Sequence, residues 1–191
     1  MILVHIDGVY GDCTIAGYTI NDGVPPGAKE KTGWFVAGSF SFGVEREMKE
    51  SGDKGGTEDI NIGVGELQEC TISKSMDKAS GNLAQFAING NSLGTAFIDF
   101  VEVGGGGGSK GKPLCYLRYK LDRCFIKSWT TSGDSDDRPT EDVAFYYNKI
   151  AFQYLTTTDG KKFKVGGEMK WDNVRNEPWT EFGINLLGAT K

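Results

Sequence analysis

The residues Gly104 to Pro113, GGGGGSKGKP, come within one position of a phosphate-binding loop. From Gly106 they read G-x-x-x-x-G-K, and that chemistry requires a Ser or Thr next, whose hydroxyl holds magnesium. Position 113 is Pro, which coordinates nothing. The lysine of such a loop must also open a helix whose amides face the phosphates. Here the chain continues LCYLRYKL, in which Cys115, Leu117, Tyr119 and Leu121 alternate with Tyr116, Arg118 and Lys120. Period two is a half-buried strand. The preceding AFIDFVEV, Ala96 to Val103, is aromatic and β-branched and reads the same way. Strand, glycine run, strand predicts a hairpin with a flexible tip, not a nucleotide site.

The other chemistry-bearing residues are equally poor in partners. His5 is the sole histidine, so a multi-histidine metal site is excluded. A Ser-His-Asp triad would lack the G-x-S-x-G elbow that presents its nucleophile. His5 is expected to be a solvated or interface residue on its strand. The acids Asp134, Asp136, Asp137, Glu141 and Asp142 are the best calcium candidate. A calcium loop counted from Asp134 needs Gly sixth and Glu twelfth, where Pro139 and Phe145 stand, so a solvated turn is expected. Glycoside hydrolysis needs two carboxylates across a cleft, and among 26 acids none stands out. Cys13, Cys70, Cys115 and Cys124 form no C-x-x-C pair and read as free thiols. Trp129, Trp171 and Trp179 could stack on sugars, although this composition favours core positions for them. The chain is expected not to be an enzyme, with no catalytic residue, no metal and no cofactor.

The elements that must carry these residues are strands. Among 191 residues there are 28 glycines, about twice the usual ~7% share, interspersed with short apolar runs. That combination predicts an all-β sandwich or barrel. A net charge of −5 argues against a nucleic-acid partner, whose phosphates demand a basic face. No apolar run approaches the ~20 residues of a bilayer span, so no membrane insertion is expected. MILVHIDG lacks the basic and apolar regions of a secretory leader.

Along the chain, Ile2, Val4 and Ile6 alternate with Leu3, His5 and Asp7, and a turn-rich stretch follows. In GWFVAGSFSFGVE, Trp34, Val36, Phe40, Phe42 and Val44 share one phase of a two-faced strand. Residues 46 to 61, REMKESGDKGGTEDIN, lose the pattern and read as a long protruding loop, a length that usually carries function. Strand resumes at ECTISKSM. One short helix follows, with Ser80 as its cap, Leu83, Phe86 and Ala87 on one stripe and Asn89-Gly90 as its end. In VAFYYNKIAFQYL the phase of Val143, Phe145 and Tyr147 slips to Ile150, Phe152 and Tyr154, which predicts a bulge or a change of sheet. Phe163 to Trp171 closes the set. The whole reads as one domain over residues 1–175, with 176–191 as a loosely attached C-terminal tail.

The order of these segments resembles the haemolysin-coregulated protein (Hcp) family, the tube subunit of bacterial type VI secretion. Ser39 to Val44, SFSFGV, is similar to the family's SWSWG strand, and Ile72 to Leu83, ISKSMDKASGNL, resembles its FTKxxDKSTPNL run into the single helix. Tyr119 to Trp129, Glu141 to Tyr154 and Gly167 to Trp171 resemble its later strands. Gly81 departs from the family's Pro, and the Thr19 to Lys31 stretch and the glycine tip are longer than usual. The resemblance implies a mainly β fold, a small β-barrel or two packed antiparallel sheets, with one short flanking α-helix and a long protruding loop. It implies a homohexameric ring that stacks into a hollow tube, with sheath and spike proteins as partners and small effector proteins as cargo. It also implies a cytoplasmic subunit secreted through the type VI apparatus without a signal peptide. The loop would be the ring-stacking element, with Glu47, Glu50, Asp53, Glu58 and Asp59 against Arg46, Lys49 and Lys54. Two other readings fit the residues: a monomeric β-sandwich module that binds carbohydrate or protein, and the tube subunit of a phage-tail-like contractile particle.

Overall fold

A computed structural model describes residues 1–22, 25, 28–29, 31–50, 60–102, 113–157 and 163–179. The elements in chain order are β1 (Ile2–Ile6), β2 (Phe35–Ala37), β3 (Ser39–Ser41), β4 (Val44–Glu50), β5 (Ile60–Leu67), β6 (Cys70–Ser75), α1 (Ser80–Asn89), β7 (Gly94–Glu102), β8 (Leu114–Ser132), β9 (Thr140–Tyr146), β10 (Lys149–Thr157) and β11 (Phe163–Asp172). Every strand pair is antiparallel.

Two sheets share β8. Its first half lies in the order β2-β1-β7-β8-β10-β11, and its second half pairs with β9, which continues to β6 and β3. The strand changes sheet around Arg123, whose φ of 50° is a left-handed bend. At the opposite corner β2 and β3 are separated only by Gly38, whose N–H donates to the Ser73 carbonyl at 2.7 Å. Strands that switch sheets at bends make the corners of such a sandwich. The mainly β class is as expected, with two packed sheets and one helix. The barrel form is not: β2 and β3 meet end to end, so the hydrogen-bonded ladder stays open.

The corner at Gly38 also breaks the single phase expected for Trp34 to Val44. Phe35 and Ala37 are buried while Val36 is 46% exposed, yet beyond Gly38 it is Phe40 and Phe42 that pack on the core. The slip expected near Asn148 is a change of sheet. Val143, Phe145 and Tyr147 are buried from the β9 side, and Ile150 from β10 in the other sheet. The hairpin expected around the glycine run is present as β7 against β8, with Glu102 opposite Leu114, and its tip lies outside the described residues.

The helix ends as read, with Gly90 at φ 64° donating its N–H to the Phe86 carbonyl. Its start differs. Ala79 is the cap and makes no side-chain capping bond; Ser80 is the first helical residue. Leu83 faces the core, with Phe86 and Ala87 packed beside it.

The first sheet is covered on both faces, which alternation in the sequence did not suggest. Its inner face packs Val4, Ile6, Ala96, Ile98, Leu121 and Ile150 against Cys70, Ile72, Val143 and Phe145 of the second sheet. Its outer face runs in rows across five strands: Leu3, Asp99, Arg118, Gln153 and Glu168 in one, His5, Phe97, Lys120, Ala151 and Lys170 in the next. Cys13, Tyr18 and Trp34 from the 7–34 segment, together with Trp179, lie over these rows. His5 is therefore neither solvated nor at an open interface. It is 1% exposed, 3.4 Å from Thr32 Oγ1, and flanked edge-on by Trp34 and Phe97. Arg118 and Lys120, expected on a solvent face, are buried too.

Candidate functional site

The described ends of the segment expected to stack rings, residues 46–50 and 60–61, are strand rather than loop, and residues 51–59 lie outside the described residues. β4 and β5 pair with each other and with no other strand among the described residues, forming a separate two-stranded sheet. Val44 lies opposite Leu67, Glu45 opposite Glu66 and Arg46 opposite Gly65; the register then shifts before Met48 pairs with Ile62. Such a shift bends and twists the strand that carries it. Arg46 and Glu47 are exposed near the base, and Lys49 and Glu50 continue β4 opposite Asn61 and Ile60. Asp53, Lys54, Glu58 and Asp59 lie outside the described residues. Alternation failed to show β4 because VEREMKE is charged on both phases, as an arm solvated on two sides would be.

Two buried charge networks sit in the body. Lys74 and Glu141 are register partners on β6 and β9, and both side chains are fully buried, with Nζ 2.6 Å from Oε1. Ser80 Oγ donates to the same oxygen at 2.8 Å, and Trp129 Nε1 donates to the other at 2.8 Å. Lys74 also reaches Asp77 at 2.7 Å and the Ser75 carbonyl at 2.9 Å. This network fastens the start of α1 to the second sheet, and it withdraws Glu141 from the acidic turn. The rest of that turn is exposed, where Asp134 Oδ1 accepts the Asp136 and Asp137 amides. The signal was legible: Lys74 shares the phase of buried Ile72, and Glu141 the phase of Val143 and Phe145. Opposite charges at core-facing positions of two strands imply a pair.

The second network is Arg118 with Asp99, register partners on β8 and β7 joined through Nε and Nη2. Burial opposes the guanidinium charge, but the hydrogen bonds and charge of Asp99 hold Arg118 above its ordinary value. The Trp34 and Phe97 rings lie 5.8 and 5.9 Å from the guanidinium carbon. Beside it, burial pushes the Cys115 thiol up to about 12, with the Asp99 charge adding to the shift. Burial also raises Cys13, Cys70 and Cys124, so these thiols are held protonated at neutral pH and are poor nucleophiles. The cysteines are free, and the described residues contain no group of three or more His, Cys, Asp or Glu placed to hold a metal ion. Both networks are buried and brace the fold.

The residues beyond the expected domain boundary are anchored as far as Trp179. Asp172 Oδ1 accepts the Val174 and Arg175 amides, and the turn returns the chain so that Glu177 bridges to Asp172. Trp179 is then buried, with Lys120 and Lys149 at 5.3 and 5.4 Å from its ring. Trp129 and Trp171 pack against the main core. The three tryptophans thus serve packing, as their residue type suggested.

The family model for "Type VI secretion system effector, Hcp" matches residues 4–154. Comparison with curated proteins returns no match. Among solved structures, one of a type six secretion system protein superimposes with a TM-score of 0.69 at 23% identity, over 93% of this chain and 98% of that one. Hcp1 from Salmonella typhimurium gives 0.64 at 16% identity, over 93% and 97% of the two chains. A type VI secretion system effector from Yersinia pestis gives 0.61 at 16%, over 90% and 99%. At these identities the structural likeness speaks to the fold, and the family rests on the match that spans most of the chain. The chain belongs to the Hcp family of the type VI secretion system.

Proposed function

We propose that this chain is the tube subunit of a type VI secretion apparatus. Copies close into a homohexameric ring, rings stack into a hollow tube, and sheath and spike proteins engage it. The subunit is made in the cytoplasm, leaves through the apparatus without a signal peptide, and carries small effector proteins in its lumen. Its work is geometric rather than catalytic.

The observation that carries this reading is the β4–β5 hairpin, which pairs with no other strand among the described residues. An isolated two-stranded hairpin is marginal in water and needs a surface to pack against. A neighbouring copy supplies that surface, and a head-to-tail contact whose rotation closes makes a ring. Among the described residues no strand pairs the outer edge of β3, and the outer edge of β11 is met only near its end, where Glu177 and Trp179 bond to Asp172 and Lys170; soluble proteins cover or pair such edges. Arg46, Glu47, Lys49, Glu50, Asp53, Lys54, Glu58 and Asp59 are assigned to ring stacking, where mixed charges set register without strong affinity.

Native mass spectrometry and electron microscopy of the purified chain test the reading. Hexameric rings are expected, and a monodisperse monomer at tens of micromolar would overturn it. Deleting Lys49 to Glu58 is expected to leave rings intact while tube growth fails.

A further inference from the structure

The base of the hairpin is electrostatically incomplete in a single copy. Glu45 and Glu66 lie directly opposite each other on β4 and β5, and both are exposed. Like charges facing across a ladder destabilise it. Gln68 donates one hydrogen bond to Glu45 at 2.9 Å, but no cation among the described residues pairs with Glu66. Arg46 is one residue along from Glu45, so its side chain leaves the hairpin on the opposite face. There it lies over Gly65, where an added Cβ would stand 3.4 Å from Nη2, and no carboxylate among the described residues pairs with it. On this same face Val44 is 60% exposed, an apolar side chain beside an exposed cation. One face of the base is thus acidic, and the other cationic and apolar.

We infer that these two faces are complementary halves of one contact: the Glu45–Glu66 face of one copy receives the Arg46–Val44 face of a second copy. The inference rests on the stacking reading given above and deepens it by naming the contact. An arm with the same charge on both faces would repel its neighbours. An arm with opposite faces docks in one orientation and leaves a fresh pair of faces at each end, as a growing stack requires. The acidic pair is tolerated in the free subunit because it is solvated and screened. In the stack the guanidinium of the neighbour offsets one of its two charges, and Val44 leaves water.

The test is a charge-swap cycle on the full-length protein, with ring and stack populations read by sedimentation and electron microscopy. Arg46→Glu sets acid against acid, and Glu66→Lys sets a cation against the neighbour's guanidinium while Glu45 stays held by Gln68. Each exposed pair is weak, but a ring repeats it at every subunit, so each single variant is expected to lower the stacking constant by at least about tenfold. The double variant R46E/E66K restores opposite charges with their sides exchanged and is expected to return stacking to within about threefold of wild type. Both positions are exposed, and unchanged circular dichroism and ring content will confirm that the variants fold. Stacking rings with single variants that stack like wild type, or a double variant that is not rescued, would overturn the contact and leave the proposed function standing. Rings that never stack would overturn the contact and the tube together, and a chain that stays monomeric would overturn the function itself.

Discussion

Replacing Glu141 by Gln removes one charge from the Lys74 network while keeping its shape. In the native arrangement one carboxylate oxygen accepts Lys74 Nζ and Ser80 Oγ, and the other accepts Trp129 Nε1. The amide has only one acceptor, so its NH2 must face either the indole N–H or the Lys74 and Ser80 donors. Lys74 stays buried, with Asp77 at 2.7 Å, the Ser75 carbonyl at 2.9 Å and Ser80 Oγ at 3.3 Å as remaining partners. Breaking a buried pair by removing one partner costs about 3–5 kcal/mol, and because Asp77 remains we expect the lower end, about 3 kcal/mol. For a chain of this length that lowers Tm by roughly 6–12 °C. Thermal and urea unfolding at fixed protein concentration, followed by circular dichroism and tryptophan fluorescence, measure it. Adding Lys74→Met removes the stranded ammonium, so K74M/E141Q is expected to be more stable than E141Q alone by at least about 1 kcal/mol. A Tm change under about 2 °C for E141Q, or a double variant no better than the single, would refute the reasoning.

Three further outcomes are expected. A Cβ at Gly11 would sit 2.1 Å from the Trp34 carbonyl oxygen and 2.8 Å from the Phe35 amide, both backbone atoms, so G11A is expected to destabilise by at least ~3 kcal/mol in denaturant titration. On α1 the two glycines should part in sign: G81A, with open space around it, stabilises by ~0.5–1 kcal/mol, whereas G90A, at φ +64°, destabilises by ~1–2 kcal/mol. The amide hydrogen bond from Arg175, with help from Lys149, holds the Asp172 carboxyl below its ordinary value, so this group stabilises the fold above its unfolded pKa and the benefit is lost as pH falls through the lower folded value. Trp179 fluorescence is therefore expected to stay constant from pH 8 to 5 and shift red only below about pH 4, while D172N shows the red-shifted signal already at neutral pH.

What the sequence disclosed follows from what period and residue type can encode. The β7–β8 hairpin, the sheet change before Ile150 and the αL end of the helix at Gly90 each rest on a local signal, and each is present. The corner at Gly38 was hidden because Trp34, Val36, Phe40, Phe42 and Val44 share a parity, although Phe35 holds the larger claim on the interior. His5, Arg118 and Lys120 misled because alternation assumes one wet face, and here a segment distant in sequence covers it. Nothing local announces that Tyr18 and Trp34 will lie over Arg118. By type Ser80 suggests a cap, but its hydroxyl donates to Glu141, 61 residues away. As for the arm, the sequence signal there is a loss of core-facing pattern. Its strands are not legible because VEREMKE is charged on both phases and shows no alternation to detect.

The two buried ion pairs also bear on register, which apolar residues fix poorly in this fold. A slip of one residue turns every side chain to the wrong face and is strongly excluded, but a slip of two keeps the faces and costs little when the row is Val, Ile and Phe. Such a slip would set Lys74 opposite Val143 instead of Glu141, or Arg118 opposite Phe97 instead of Asp99, leaving buried charges unpaired. Replaced by apolar residues, either pair would stabilise the sheet about as well or better, so its contribution is selectivity rather than strength. In the proposed assembly, where identical neighbours meet at the arm and the edges, a two-residue error in β6 or β8 would displace every surface beyond it. Hydrogen exchange on K74M/E141Q is expected to show this directly: the β6 and β9 amides should divide into two protected populations while the β1–β7 amides keep one. A single population in both regions would mean that packing alone sets the register, and the ion pairs would then need another explanation.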